Sequence, residues 1–156
     1  MRAFFYDTWA FVALANKADP HHALAVELDR ELEKQGYVAA TSDYVIDEAI
    51  TLLHLSGGAR AALALLDVIE ARTAASELLL LEIHAERRAR AVEIFRKLAA
   101  EEPRLSFTDC TSFGAMRELG IQLAFTADRH FHRAGAGIRP LLERRGARLL
   151  SNLPAT

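Results

Sequence analysis

Short apolar runs that alternate with longer stretches of helical periodicity are the feature that most constrains this chain. Residues 3–6 are apolar and stop at Asp7-Thr8, a pair able to end a strand and cap a following helix. Pro20 opens a helical segment in which Leu24, Leu28 and Leu32 recur at i+4, and Gly36 ends it. Residues 37–41 predict a buried strand. Ser42-Asp43 then starts a helix with Val45, Ile46, Ala49, Ile50 and Leu53 inward. Gly57-Gly58 breaks that helix, and Ala62, Leu65, Leu66 and Ile69 stripe the next. Residues 76–83 predict a third strand, although their leucines also suit a helix. Residues 84–100 form a helix with Ala89, Val92, Phe95, Leu98 and Ala99 inward, and Pro103 closes it. Ser106 to Asp109 begins a helix carrying Phe113, Met116 and Leu119 inward, and Gly120 ends it before a strand at 122–125. A loop follows Asp128, and residues 147–150 are expected to add an edge strand.

Strands alternating with helices imply a mostly parallel sheet covered on both faces, an α/β sandwich. A chain of 156 residues without repeats or linker-like stretches is read as one domain spanning 1–156. The longest aliphatic run, Leu78 to Leu81, is far too short to cross a bilayer, and Asp7 interrupts the apolar N-terminus before a signal core is complete. The lone Cys110 excludes an internal disulfide and offers no zinc framework. These features point to a cytoplasmic protein. A net charge of -2 argues against coating nucleic acid through a global positive field, so any RNA contact must be local.

Right-handed crossovers place the carboxyl ends of the inner strands along one edge of the sheet, where ligands of open α/β sheets bind. Asp7 follows the first strand, Asp109 opens a helix, and Asp128 lies three residues beyond Phe125 at the end of another strand. Glu48 falls beside the apolar positions Val45, Ala49 and Leu52 of its helix, and a carboxylate facing partly inward needs an explanation. Each acid has a simpler reading: Asp7 as a helix cap, Ser106-x-x-Asp109 as a capping box, Asp128 as a turn residue. Their joint placement favours a shared task. Two like charges about 4 Å apart repel by roughly 4 kcal/mol at an effective dielectric near 20, and a divalent cation relieves this. Oxygen ligands without a Cys or His framework favour Mg²⁺ or Mn²⁺ over zinc.

The phrases Phe4-Phe5-Tyr6-Asp7-Thr8, Thr41-Ser42-Asp43-Tyr44-Val45-Ile46-Asp47-Glu48, Leu105-Ser106-Phe107-Thr108-Asp109-Cys110-Thr111-Ser112 and Ala124-Phe125-Thr126-Ala127-Asp128-Arg129-His130-Phe131 occur in an order that resembles PIN-domain ribonucleases, especially the VapC-type toxins of toxin-antitoxin pairs. The resemblance spans nearly the whole chain. It implies a three-layer α/β/α sandwich and a Mg²⁺- or Mn²⁺-dependent endoribonuclease. Asp7, Asp109 and Asp128 would hold metal, Glu48 would hold it or orient water, and Thr126 and Thr8 would support the acids. It also implies an RNA substrate, a cognate antitoxin and a homodimer. A free-standing RNA-processing nuclease and a non-catalytic RNA- or protein-binding module stay open as alternatives.

Other classes fit worse. A haloacid-dehalogenase-type phosphatase needs a second Asp two positions after the first, where this chain has Trp9. Asp67, inside a helical stripe, is poorly placed for a receiver-domain phosphoacceptor, and neither Gly57-Gly58 nor Gly135-Ala136-Gly137 matches a dinucleotide or phosphate-loop fingerprint. Arg87, Arg88, Arg90, Arg96 and Lys97, interleaved with Glu86 and Glu93, are read as a solvated helix face, and His130 and His132 as loop residues near the site. Asp47 and Glu48 project about 100° apart on a helix. Only one can face a pocket squarely, and the apolar neighbours and the resemblance select Glu48.

Overall fold

The computed structural model describes residues 2–135 and 137–141, so the strand expected at 147–150 lies outside the described residues. A five-stranded sheet forms the centre, in the order β3-β2-β1-β4-β5. Its strands are β1 (Ala3–Tyr6), β2 (Val38–Ser42), β3 (Leu78–Leu81), β4 (Leu123–Phe125) and the two-residue β5 (Arg139–Pro140). All pairings are parallel, with β1 between β2 and β4.

Between β1 and β2 lie α1 (Thr8–Ala15) and α2 (His22–Lys34); between β2 and β3 lie α3 (Asp43–Gly57) and α4 (Ala59–Ala74). The chain then crosses back over β1 to β4 through α5 (Ala85–Leu98) and α6 (Phe107–Leu119). A one-turn helix, α7 (His130–Arg133), precedes β5. Because right-handed crossovers running in opposite directions along a sheet land on opposite faces, α1 to α4 cover one side and α5 and α6 the other. The contacts of α1 with α2, α3 and α4, and of α5 with α6, agree with this division. Among the described residues no helix is long and apolar enough to cross a membrane.

Burial on both faces explains the composition of the central strand. Phe4, Phe5 and Tyr6 are all fully buried, whereas the edge strand β3 buries Leu78 and Leu81 and leaves Leu79 and Leu80 partly exposed. The ambiguous leucine run is therefore a strand, held in parallel register from Ala39 opposite Leu78 to Ser42 opposite Leu81. The hydroxyl of Tyr6 donates to Asp29, and Arg72 donates to that hydroxyl at 2.9 Å, so the one polar side-chain group of this apolar strand is satisfied.

The α5 stripe differs from expectation. Ala91 and Ile94 are buried, while Ala89 is exposed and Phe95 is partly exposed. Apolar residues occupy two faces of this helix, so spacing alone admitted either. The buried face is the one that packs on α6, where Ile94 lies against Gly114, and Arg87 and Arg90 on the same helix pair with Glu118 of α6 at 2.7 and 2.5 Å. Part of the basic face is therefore paired across helices rather than simply solvated. Leu119, expected inward, is partly exposed at the end of α6.

Candidate active site

The sheet order makes β1 and β4 the point where the chain reverses its direction of travel, and adjacent strand ends splay their following loops apart there. Asp7 stands at the end of β1 in extended conformation, at the position that would cap α1, yet its side chain makes no capping bond. The simple cap reading of Asp7 is thereby set aside. Its Oδ2 instead accepts a 2.7 Å hydrogen bond from the hydroxyl of Thr126, which follows β4. That hydroxyl in turn accepts from the Asp128 backbone N–H at 2.9 Å. Thr126 is fully buried, so its single proton and its lone pair link the two loops without help from solvent.

Asp109 arrives from the opposite layer. Ser106 caps α6 by accepting from the Asp109 N–H, and Asp109 Oδ2 accepts from the Ser106 N–H, both at 2.9 Å. The capping box is thus real, and it also aims the Asp109 carboxylate into a cleft of about 320 Å³. Asp7, Thr8, Glu48, Asp109 and Asp128 all line that cleft, together with Trp9, Val12, Leu52, Ser106 and Arg104. Glu48 is half-buried on α3 and its Oε2 accepts from the Thr8 hydroxyl at 2.6 Å, whereas Asp47 is exposed. All four sequence-expected acids therefore border one cleft, and Thr8 and Thr126 each hold one of them.

Electrostatics follow from burial. Asp7 is 5 % exposed, and removal from water pushes its pKa up from 3.8 to about 7, against the lowering effect of the Thr126 hydrogen bond and with the charges of Asp109 and Asp128 adding to the rise. Burial likewise raises Asp109, against its bonds to Ser106. Arg104 is the one Lys or Arg side chain among the residues lining this cleft. Oxygen donors that are costly to ionise together suit a hard divalent cation, whose charge would offset both burial and repulsion.

A pH dependence follows. The folded, metal-free protein holds a proton on Asp7 at pH values where the unfolded chain has released it, so its stability is greatest at the acidic end of the window from about 4 to 7 and is lost as pH rises through it, and the raised Asp109 acts in the same direction. For Asp7 the span is on the order of 4 kcal/mol at most. Thermal unfolding in EDTA is expected to give a higher midpoint at pH 5.5 than at pH 8; a flat profile would mean that the carboxylates are already compensated.

Two residues beside the cleft were not among the expected site residues. His130, expected in a loop, is on α7 with its side chain 7 % exposed and Nδ1 3.1 Å from Asp128 Oδ1. Glu102 is a buried carboxylate 3.7 Å from the other ring nitrogen. A His two residues after an acid carries a weak signal that a turn could bring both together; nothing in an irregular stretch shows that Glu102 points inward while Glu101 stays exposed.

The PIN domain family model matches residues 4–137, a span holding every residue of the cleft. This chain belongs to the PIN-domain family. The 23S rRNA-specific endonuclease VapC20 of Mycobacterium tuberculosis is 35% identical to this PIN domain over 137 residues, covering 87% of this chain and 98% of that protein. The crystal structure of that VapC20, described as a Sarcin-Ricin loop cleaving toxin, superposes with a TM-score of 0.69 at 34% identity, over 85% of this chain and 95% of the other. VapBC2 from Rickettsia felis, bound to a DNA fragment from its promoter, shares the PIN fold at a TM-score of 0.64 with 18% identity, over 88% of this chain and 98% of the other.

Proposed function

We propose that this PIN domain is a metal-dependent endoribonuclease that hydrolyses RNA phosphodiester bonds and acts as the toxin of a toxin-antitoxin pair. The observation that carries the reading is the convergence of four acids from separate elements on one cleft, two of them held against ionisation by burial. Similarity to a named RNA endonuclease over nearly its whole length supports the same reaction class.

Asp7, Asp109 and Asp128 would hold Mg²⁺ or Mn²⁺, with Glu48 as a further ligand or as the acceptor that orients the attacking water. A divalent ion there would acidify that water and offset the charge that develops on the phosphate. Thr126 keeps Asp7 and the Asp128 loop in register, and Thr8 steers Glu48 by the hydroxyl it donates. Arg104 at the cleft is positioned to meet an RNA phosphate, an attraction that reads charge and not base sequence.

An antitoxin and a second copy of the chain belong to the same proposal. An apolar cleft of about 180 Å³ lined by Phe11, Leu14, Leu65 and Ile69, between α1 and α4, supports a protein partner. So do the exposed Leu55 and Leu63.

The test is incubation of the purified protein with ribosomal RNA and with a mixed pool of single-stranded and structured RNAs, in Mg²⁺, Mn²⁺ or EDTA. Cutting that requires metal is the expected outcome. RNA bound but uncut under every condition would instead favour the non-catalytic binding module.

A further inference from the structure

The acids do not account for all the chemistry beside the cleft. His130 is buried next to Asp109 and Asp128, and neither of its ring nitrogens has a hydrogen-bond partner among the described residues. Buried polar atoms are seldom left in that state. Nδ1 lies 3.1 Å from Asp128 Oδ1 and 3.6 Å from Asp109 Oδ2. On the opposite side of the ring, Nε2 lies 3.7 Å from Glu102 Oε2, and Glu102 is itself tied to Arg133 at 2.8 Å. One ligand atom each from Asp109, Asp128 and His130 fall within 4.8 Å of one another.

These separations have a meaning for a metal ion. Neighbouring ligands of a six-coordinate ion with bonds of about 2.1 Å stand about 3 Å apart, close to the spacing of Nδ1 from the two carboxylates. A ligating imidazole customarily gives its other ring N–H to a carboxylate that fixes the ring plane, and Glu102 stands on that side of His130, its Oε2 3.7 Å from Nε2 and a few tenths of an ångström beyond hydrogen-bond distance.

We propose that His130 is a nitrogen ligand of the cation, completing a mixed oxygen and nitrogen set with Asp109 and Asp128, and that Glu102 holds its ring. This rests on the reading of the cleft as a cation site and deepens it by naming the donor set and the class of metal. Imidazole donors suit transition metals, whereas Mg²⁺ keeps to oxygen and to its own waters. The site therefore selects Mn²⁺ over Mg²⁺, which four carboxylates alone would do less strongly. In the competing arrangement, His130 only orients Asp128 and never touches the ion.

Pulsed electron paramagnetic resonance of Mn²⁺ on the full chain separates the two, because a directly bound imidazole imposes ¹⁴N modulation on the signal. Calorimetric titration with Mn²⁺ and Mg²⁺ accompanies it, on the wild type, His130→Asn and Glu102→Gln. The expected result is nitrogen modulation in the wild type, its loss in His130→Asn, and a fall of tenfold or more in the Mn²⁺ to Mg²⁺ affinity ratio of that variant. Glu102→Gln should keep the modulation and bind Mn²⁺ about tenfold to a hundredfold more weakly. Mn²⁺ bound to the wild type without nitrogen modulation overturns the imidazole ligand while leaving the cation site standing. Failure of the wild type to bind Mn²⁺ at all overturns both. The wild-type spectrum decides even where a variant folds poorly.

Discussion

Asp7→Asn is expected to lower RNA cleavage by about a thousandfold or more and, at pH 8 without metal, to make the protein more stable. Both effects have one cause. Asp7 is buried, so its charge is unfavourable in the folded state unless something positive faces it. Asparagine keeps the oxygen that accepts from Thr126 and removes the charge. The empty fold relaxes, while a metal bound there loses an anionic ligand. Each 1.36 kcal/mol of lost transition-state stabilisation is tenfold in rate, so a loss of about 4 kcal/mol gives the thousandfold drop. Cleavage measured beside thermal unfolding in EDTA and in Mn²⁺ tests the pair of effects. Wild type should gain stability from the ion by mass action, and the variant should gain much less. An inactive variant that is also less stable in EDTA would place Asp7 in the scaffold instead.

The second large effect contrasts two adjacent residues. Glu48→Ala is expected to cost about a hundredfold in cleavage, the lower end of what removing one positioned polar group costs, and Asp47→Ala to leave activity within about twofold of wild type. Glu48 lines the cleft and accepts from Thr8 at 2.6 Å, while Asp47 is exposed on the same turn of α3. Equal activity of the two variants would remove Glu48 from the site. Far-ultraviolet circular dichroism of both checks that α3 is intact, which it should be, because alanine is the stronger helix former.

How far the sequence foretold these residues depends on the kind of signal each carries. Asp7, Asp109 and Asp128 sit where strands end or helices begin, positions that turn chemistry and periodicity mark directly, and a parallel sheet brings such positions to one edge. Glu48 was legible because it falls beside Val45 and Ala49, which are buried, although its third apolar neighbour, Leu52, is exposed. His130 was placed near the site but read as loop, since a one-turn helix has too few residues for any period to show. The face of α5 failed for the opposite reason: Ala89, Val92 and Phe95 make as regular a stripe as Ala91, Ile94 and Leu98, and which of them is buried depends on packing against another helix, where Ile94 meets Gly114 of α6. Local patterns specify elements well, but a choice made by a partner distant in the chain leaves no mark near the residue it affects.

The hydrogen bond between Thr126 and Asp7 joins residues 119 positions apart. Since β4 follows β1 and β2 in the chain, a growing chain has Asp7 long before it has the Thr126 hydroxyl that fastens it. Domains fold largely as units, and here the cleft waits for a strand that ends only at Phe125. For an enzyme that would cut RNA, that order of assembly means the nascent chain carries no finished blade while most of it is still being built.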